Sequence, residues 1–333
     1  MKAFLLTRYG KNQKLQLTEV PKPALQADEV LIEVHAAGVN QLDSKIRDRE
    51  FKLILPYKLP TGLGHDVAGV VTAVGARVSQ FKVGDEVYAR PADFRIGTFA
   101  EFIAVREADV ARKPTNLTMA EAGSLPLVGL TAWQALVERA SLRPGQKVFI
   151  QAGSGGVGTF AIQLAKHLGA YVATTTSAAN TELVKSLGAD LVIDYKTQDF
   201  ETVLSGYDVV LNSQDTKTLE KSLRILKPGG IAVSISGPPT SEFARAFGLP
   251  WYVRLATRLL SFGIRRKAKK LGVRFTFLFM KADGQQLDRI TQLVEAGIIK
   301  TVVDTTFAFA QTNEALAYVE SGRAKGKVVI QVR

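Results

Sequence analysis

The feature that most restricts the fold is Gly153-Ser154-Gly155-Gly156-Val157-Gly158, set between two runs of different period. Val148 to Gln151 before it is a short apolar run typical of a buried strand, and Thr159 to Leu168 after it is helical in pattern. A G-x-G-x-x-G spacing alone is a weak signal. With a strand before and a helix after it becomes strong, because the glycines let the backbone turn sharply and approach a pyrophosphate. The free N–H groups and dipole of the helix start then favour its charge, and Gly158 allows close helix packing. The competing reading is a glycine-rich turn that binds nothing.

The residues around the loop repeat its rhythm. Strand-like runs at Tyr171 to Thr176, Leu191 to Ile193, Val209 to Leu211 and Ile231 to Ile235 alternate with helical patterns at Thr181 to Leu187 and Thr218 to Leu226, the last closed by Lys227-Pro228-Gly229-Gly230. Strand–helix alternation predicts a doubly wound parallel sheet from about Gly123 onward. Before that point the texture is short strands and turns: Val30 to Ala36, Val67 to Val74, Glu86 to Ala89 after Lys82-Val83-Gly84-Asp85, and Ala100 to Val105 after Gly97-Thr98-Phe99. This predicts an α/β protein of two domains, the first β-rich, and 333 residues that are 46% hydrophobic can fill both cores.

Composition removes several classes. With no cysteine there is no disulfide, thiolate ligand or cysteine nucleophile, and a reducing, cytoplasmic setting fits. Lys2, Arg8 and Tyr9 interrupt the start, so it lacks the long apolar stretch of a secretory signal and export is not expected. The most membrane-like window, Leu249 to Ile264, is broken by Pro250, Arg254 and Arg258. The net charge of +12 suits a phosphorylated ligand, a membrane surface or nucleic acid. No nucleic-acid-binding pattern accompanies it, so no specific nucleic-acid partner is expected.

An NAD-specific site usually closes its second strand with Asp or Glu, which binds the ribose 2′-hydroxyl. From Ala170 to Thr181 there is neither. Hydroxyl donors without a repelling carboxylate suit a 2′-phosphate, with Ser177 the candidate donor and NADP(H) the expected cofactor. Thr174 to Thr176 are explained sufficiently as β-branched strand residues.

Ala152 to Gly158, Leu187-Gly188-Ala189-Asp190, Ile193-Asp194-Tyr195 and Leu226 to Gly230 resemble the cofactor domain of zinc-independent quinone oxidoreductases, a branch of the medium-chain dehydrogenase/reductase superfamily. Ala37-Gly38-Val39-Asn40, Gly64 to Gly69, Val83-Gly84-Asp85 and Gly129-Leu130-Thr131-Ala132 carry the likeness through the first half. The resemblance implies a GroES-like β-barrel catalytic domain over 1–122 and 298–333, and a Rossmann NADP-binding domain over 123–297. It also implies that Ser154, Gly155, Gly156, Val157, Gly158, Ser177 and Tyr195 contact NADPH, that Asn40 and Thr131 lie near the nicotinamide and its ribose, and that Phe279 and Ala324-Lys325-Gly326 add later contacts. Tyr195 also reads as a surface tyrosine, Lys325 as a solvated charge and Asn40 as a turn residue. Many relatives carry a basic residue just after Ser177, whereas Ala178-Ala179-Asn180 follow here.

Zinc-dependent relatives place Cys at the position of Asn40 and a second ligand at His65. His65 with Asp66 does not make the three-ligand set of a catalytic zinc, so no metal is expected, and His65 reads as a satisfied histidine in a structural turn. His35 and His167 read as packing or surface residues. No catalytic side chain is assigned, since Tyr9, Tyr57, Tyr88 and Tyr252 cannot be ranked from sequence. Direct hydride transfer remains, to an acceptor already electrophilic: a quinone or an α,β-unsaturated carbonyl. An alcohol or ketone dehydrogenase on the same scaffold and a non-catalytic NADPH-binding protein are the alternatives.

Ser241 to Gly272 interleaves Phe, Trp, Tyr and Leu with Arg and Lys. It reads first as an amphipathic excursion beside the cleft or a subunit interface, with membrane-surface contact as the less favoured reading. Val273 to Met280 reads as a final strand, through which the family resemblance implies a homodimer.

Overall fold

Burial alternates from Val30 to Ala36 within Glu29–Val39, the longest strand of the computed structural model, which describes residues Met1–Arg333. In chain order the first half contains β1 (Lys2–Leu6), β2 (Gln16–Glu19), β3 (Glu29–Val39), α1 (Gln41–Arg47), β4 (Thr61–Gly62) and β5 (Val67–Val74). There follow β6 (Glu86–Ala89), β7 (Phe102–Arg106), β8 (Val110–Arg112), α2 (Met119–Gly123) and α3 (Pro126–Trp133). β3 pairs antiparallel with both β5 and β7, and its inward side chains Val30, Ile32 and Val34 are fully buried. Burying side chains of this size stabilises by about 1.5–3 kcal/mol each.

From β9 (Lys147–Ile150) the strands become parallel. The elements are α4 (Gly156–His167), β10 (Tyr171–Thr176), α5 (Thr181–Ser186), β11 (Leu191–Asp194), α6 (Phe200–Val203), β12 (Tyr207–Asn212), α7 (Thr216–Arg224) and β13 (Leu226–Ser234). Three helices, α8 (Ser241–Ala246), α9 (Trp251–Leu260) and α10 (Phe262–Lys270), precede β14 (Arg274–Phe277). The sheet order β11-β10-β9-β12-β13-β14 reverses direction beside β9, the arrangement of a doubly wound dinucleotide-binding sheet. Phe149, Ala173, Val210 and Ala232 of the sheet share a core with Leu219 and Leu223 of α7 and Ile264 and Ala268 of α10.

The tail carries α11 (Gly284–Glu295), β15 (Val303–Ala308), α12 (Thr312–Glu320) and β16 (Lys327–Gln331). β16 runs antiparallel to the far end of β3, so the first sheet reads β15-β16-β3-β5-β6-β8, with a small β2-β1-β4 sheet beside it. The chain thus divides into Met1–Leu130 with Lys281–Arg333, and Thr131–Met280. Against the sequence-based boundaries of 122/123 and 297/298, the segment holding α11 falls in the first unit. Its Gly284 passes so near β8 that a Cβ would lie 2.3 Å from the Val110 carbonyl oxygen, and the buried Tyr88 hydroxyl donates to the Leu287 carbonyl at 2.7 Å.

Candidate functional site

The turn between β9 and α4 is built around its glycines. A Cβ on Gly153 would stand 2.2 Å from Thr174 Oγ1, and one on Gly158 would stand 2.3 Å from the Ala152 carbonyl oxygen and 2.7 Å from Gly153 Cα. Neither can be replaced without moving backbone or strand. Gly155 caps α4 in extended conformation with no side-chain cap, and the first turn holds no acid. The opening N–H groups of a twelve-residue helix are therefore left to an anion.

Beside this turn a cluster of short polar side chains gathers at the carboxyl end of β10. Thr176 Oγ1 donates to Ser154 Oγ at 2.9 Å, and Asn180 Nδ2 lies 3.2 Å from Ser154 Oγ and 3.4 Å from Ser177 Oγ. The Tyr195 N–H donates to the Thr176 carbonyl at 3.2 Å, which holds this exposed residue next to Ser177 in the chain path. Asn180 Oδ1 is buried without a partner. Thr174 and Thr175 behave as structural residues: Thr174 Oγ1 donates to the Ile150 carbonyl at 2.6 Å, and Thr175 Oγ1 accepts from the Ala152 N–H at 3.2 Å. Thr176, also a strand residue of β10, turns its hydroxyl to Ser154. Asn180 was not identified from sequence; its place three residues after Ser177 in a turn was the available signal.

The first unit holds a buried charge network that sequence reasoning assembled only in part. Lys327 Nζ donates to Asn40 Oδ1 at 2.5 Å, Asp66 Oδ2 at 3.0 Å and the Val39 carbonyl at 3.2 Å. Asn40 Nδ2 donates to the same Asp66 oxygen at 2.9 Å, while Asp66 Oδ1 accepts from the Leu127 N–H at 2.6 Å. Asp43 ties in the next layer, accepting from the Asn40 N–H at 2.9 Å and the Gly64 N–H at 3.0 Å and bonding His65 Nδ1 at 2.6 Å. Asp43, His65 and Asp66 are wholly inaccessible. Asn40 is thus an oriented amide whose carbonyl oxygen points at an ammonium. His65 is only half satisfied, since its Nε2 has no partner.

These donors do not suit a zinc ion. No three His, Asp or Glu side chains converge for metal binding, Asp66 is already neutralised by the Lys327 ammonium, and the position next to it is an amide. His65 Nε2 alone is available for coordination, whereas a catalytic zinc needs three protein ligands.

The other expected site residues are spread over both units. Thr131 is buried in α3 of the second unit, and Phe279 follows β14, its ring 5.6 Å from that of Phe243 and 5.5 Å from that of Phe247. In the first unit Ala324, Lys325 and Gly326 form the loop into β16, with Lys325 exposed and Gly326 held at φ +83 where a Cβ would meet the Val302 carbonyl oxygen at 2.2 Å. Among the tyrosines, Tyr88 is locked in the core, Tyr252 is exposed, and Tyr57 is buried with its phenol pushed above the usual range, first by desolvation and then by Asp93.

Residues 26–115 match the alcohol dehydrogenase GroES-like domain and residues 187–330 the zinc-binding dehydrogenase domain. The chain is 37% identical over 360 residues to the mitochondrial NAD(P)H oxidoreductase RTN4IP1 of Bos taurus, covering all of this chain and 89% of that protein. It is 36% identical over 341 residues to the chloroplastic NADPH-dependent alkenal/one oxidoreductase of Arabidopsis thaliana, covering 99% and 79%. The quinone oxidoreductase of Coxiella burnetii superposes with a TM-score of 0.87 at 30% identity, covering 100% of this chain and 99% of that one. The chain belongs to the quinone oxidoreductase branch of the medium-chain dehydrogenase/reductase superfamily. Its two units, one GroES-like and one a doubly wound parallel sheet, are those of an oxidoreductase in that superfamily.

Proposed function

We propose that this protein uses NADPH to reduce a quinone or an α,β-unsaturated carbonyl without a metal. The observation that carries the reading is the hydroxyl and amide cluster of Ser154, Thr176, Ser177 and Asn180, with no acid at the end of β10, directly beside a helix start left to an anion. The glycine turn admits a pyrophosphate to the N–H groups of α4. Ser177 Oγ and the Asn180 amide supply donors for a 2′-phosphate, in place of the carboxylate that would accept from a free 2′-hydroxyl. A bound reduced nicotinamide supplies the hydride. Within the first unit, Asn40 is held in one orientation by Lys327 and Asp66. The edge strand β14 is the proposed pairing edge of a homodimer, and the relatives' mitochondrial and chloroplastic sites leave the compartment as a separate question.

The test is cofactor discrimination. Hydrogen bonds to a charged group are worth about 1.5–3 kcal/mol, so Ser177→Asp should weaken NADPH by roughly tenfold to a hundredfold while NADH suffers less. A wild type that prefers NADH, or a variant whose NADPH/NADH ratio of dissociation constants is unchanged, overturns the cofactor assignment. Stoichiometric NADPH binding with no oxidation across a panel of quinones, enals and enones overturns the catalytic one.

A further inference from the structure

Helix α9 is turned inside out. Its buried side consists of Val253 and Thr257, while Trp251, Leu255 and Leu259, spaced at i, i+4 and i+8, are 74%, 49% and 68% exposed. Tyr252 and Leu260 are exposed with them, as is Phe262 at the start of α10. A helix that only covers a core turns its apolar stripe inward. Here the stripe faces out, and the rings of Trp251 and Tyr252 stack edge to face outside the fold with centroids 6.1 Å apart.

The charge is as one-sided as the burial. From Phe243 to Ala282 every charged residue is basic. Arg254 and Arg258 flank the apolar stripe of α9, and α10 buries Ile264 and Ala268 while Arg266, Lys269 and Lys270 stand exposed. Of the cations on α9 and α10, only Arg265 and Lys267 meet a carboxylate, from Glu242 and Glu220.

We infer that α9 and α10 dock the protein on an anionic lipid bilayer. Trp, Tyr and Leu side chains on one helix enter the headgroup boundary, and the arginines and lysines meet anionic lipid at the surface. A second copy of this face would oppose cation to cation, which makes self-association through it unfavourable. No helix is long and apolar enough to cross a membrane, so the attachment is peripheral and weakened by salt.

The test uses the full chain, with vesicles of phosphatidylcholine alone and of phosphatidylcholine mixed with phosphatidylglycerol. The wild type should co-sediment with the mixed vesicles at low salt, leave them as salt rises, and bind phosphatidylcholine weakly. Trp251→Ser with Leu255→Ser and Leu259→Ser, and separately Arg266→Gln with Lys269→Gln and Lys270→Gln, should each weaken binding at least about tenfold. These side chains are exposed, so melting temperature should hold and serves as the control for folding. Failure of the wild type to bind mixed vesicles, or triple variants that bind as well as the wild type, overturns the inference. So does a wild type that stays in solution but forms dimers lost in the Trp251/Leu255/Leu259 variant, which would assign the face to a second copy.

Discussion

Lys327 Nζ lies 3.0 Å from Asp66 Oδ2 inside the first unit, with Asp66 wholly buried and Lys327 nearly so. Removing one member of such a pair strands a charge in a low-dielectric interior, which costs about 3–5 kcal/mol. Lys327→Met should therefore destabilise severely, and Asp66→Asn should do so too. The double variant should lose less than the two single losses added together, because neither partner is left charged. Denaturant melts of the four proteins check this; strict additivity would show that the pair does not act as a unit.

The donor set around His65 predicts indifference to chelators. Dialysis against a strong zinc chelator should leave both melting temperature and NADPH-dependent activity unchanged, because no three ligands converge there. Elemental analysis that returns one zinc per chain after dialysis would refute this.

Two glycines of the β9 turn with different surroundings should differ in phenotype. A Cβ on Gly158 collides with backbone at 2.3 Å, so Gly158→Ala should cost about 1–3 kcal/mol of stability as well as cofactor binding. Around Gly155 the nearest atom is the Ala152 carbonyl oxygen at 3.3 Å, and the backbone is extended, so Gly155→Ala should fold almost normally. Its loss should appear in the NADPH dissociation constant. Equal loss of stability in both variants would contradict the steric argument.

Asp208 gives a pH prediction. Burial, the largest single influence, pushes its carboxyl upward. Hydrogen bonds from Lys227 and the Lys147 N–H, the Lys227 charge and the Gln146 amide together outweigh it, so the group titrates below the ordinary aspartate value. A depressed folded value stabilises above the unfolded pKa and is lost as pH falls through the folded one. Between about pH 5 and about pH 2 the wild type should lose more thermal stability than Asp208→Asn, whose side chain does not titrate. Parallel pH profiles for the two proteins would exclude this contribution.

What the sequence made legible is local. The β9 turn and α4 carry their own punctuation, and Val67 to Val74 is bounded by residues that start and stop a strand. The pairing of Asp66 with Lys327 spans 261 positions, and no periodicity reports a contact of that range. Asp43 reads as one more polar residue near a helix start until Gly64 and His65 fold over it. Periodicity also identifies α9 as amphipathic without saying which face is inside; the inward-facing assumption fails there because Val253 and Thr257 take the buried side. Thr176 takes its place in β10 as β-branching suggests, but that propensity does not report the direction of its hydroxyl, which donates to Ser154.

The return of β16 to β3 imposes an order on synthesis. A ribosome releases Asp66 long before it makes Lys327, whereas the whole of Thr131–Met280 is complete in between. The parallel-sheet unit is contiguous and can fold as soon as it emerges, but the β-rich unit must wait with an acidic side chain uncompensated and the β3 edge at Ala36 to Val39 unpaired. Residues translated after the parallel-sheet unit therefore complete the unit begun before it. A chain truncated before Lys327 would carry a finished dinucleotide-binding sheet attached to an amino-terminal half that has neither its closing strand nor its counterion.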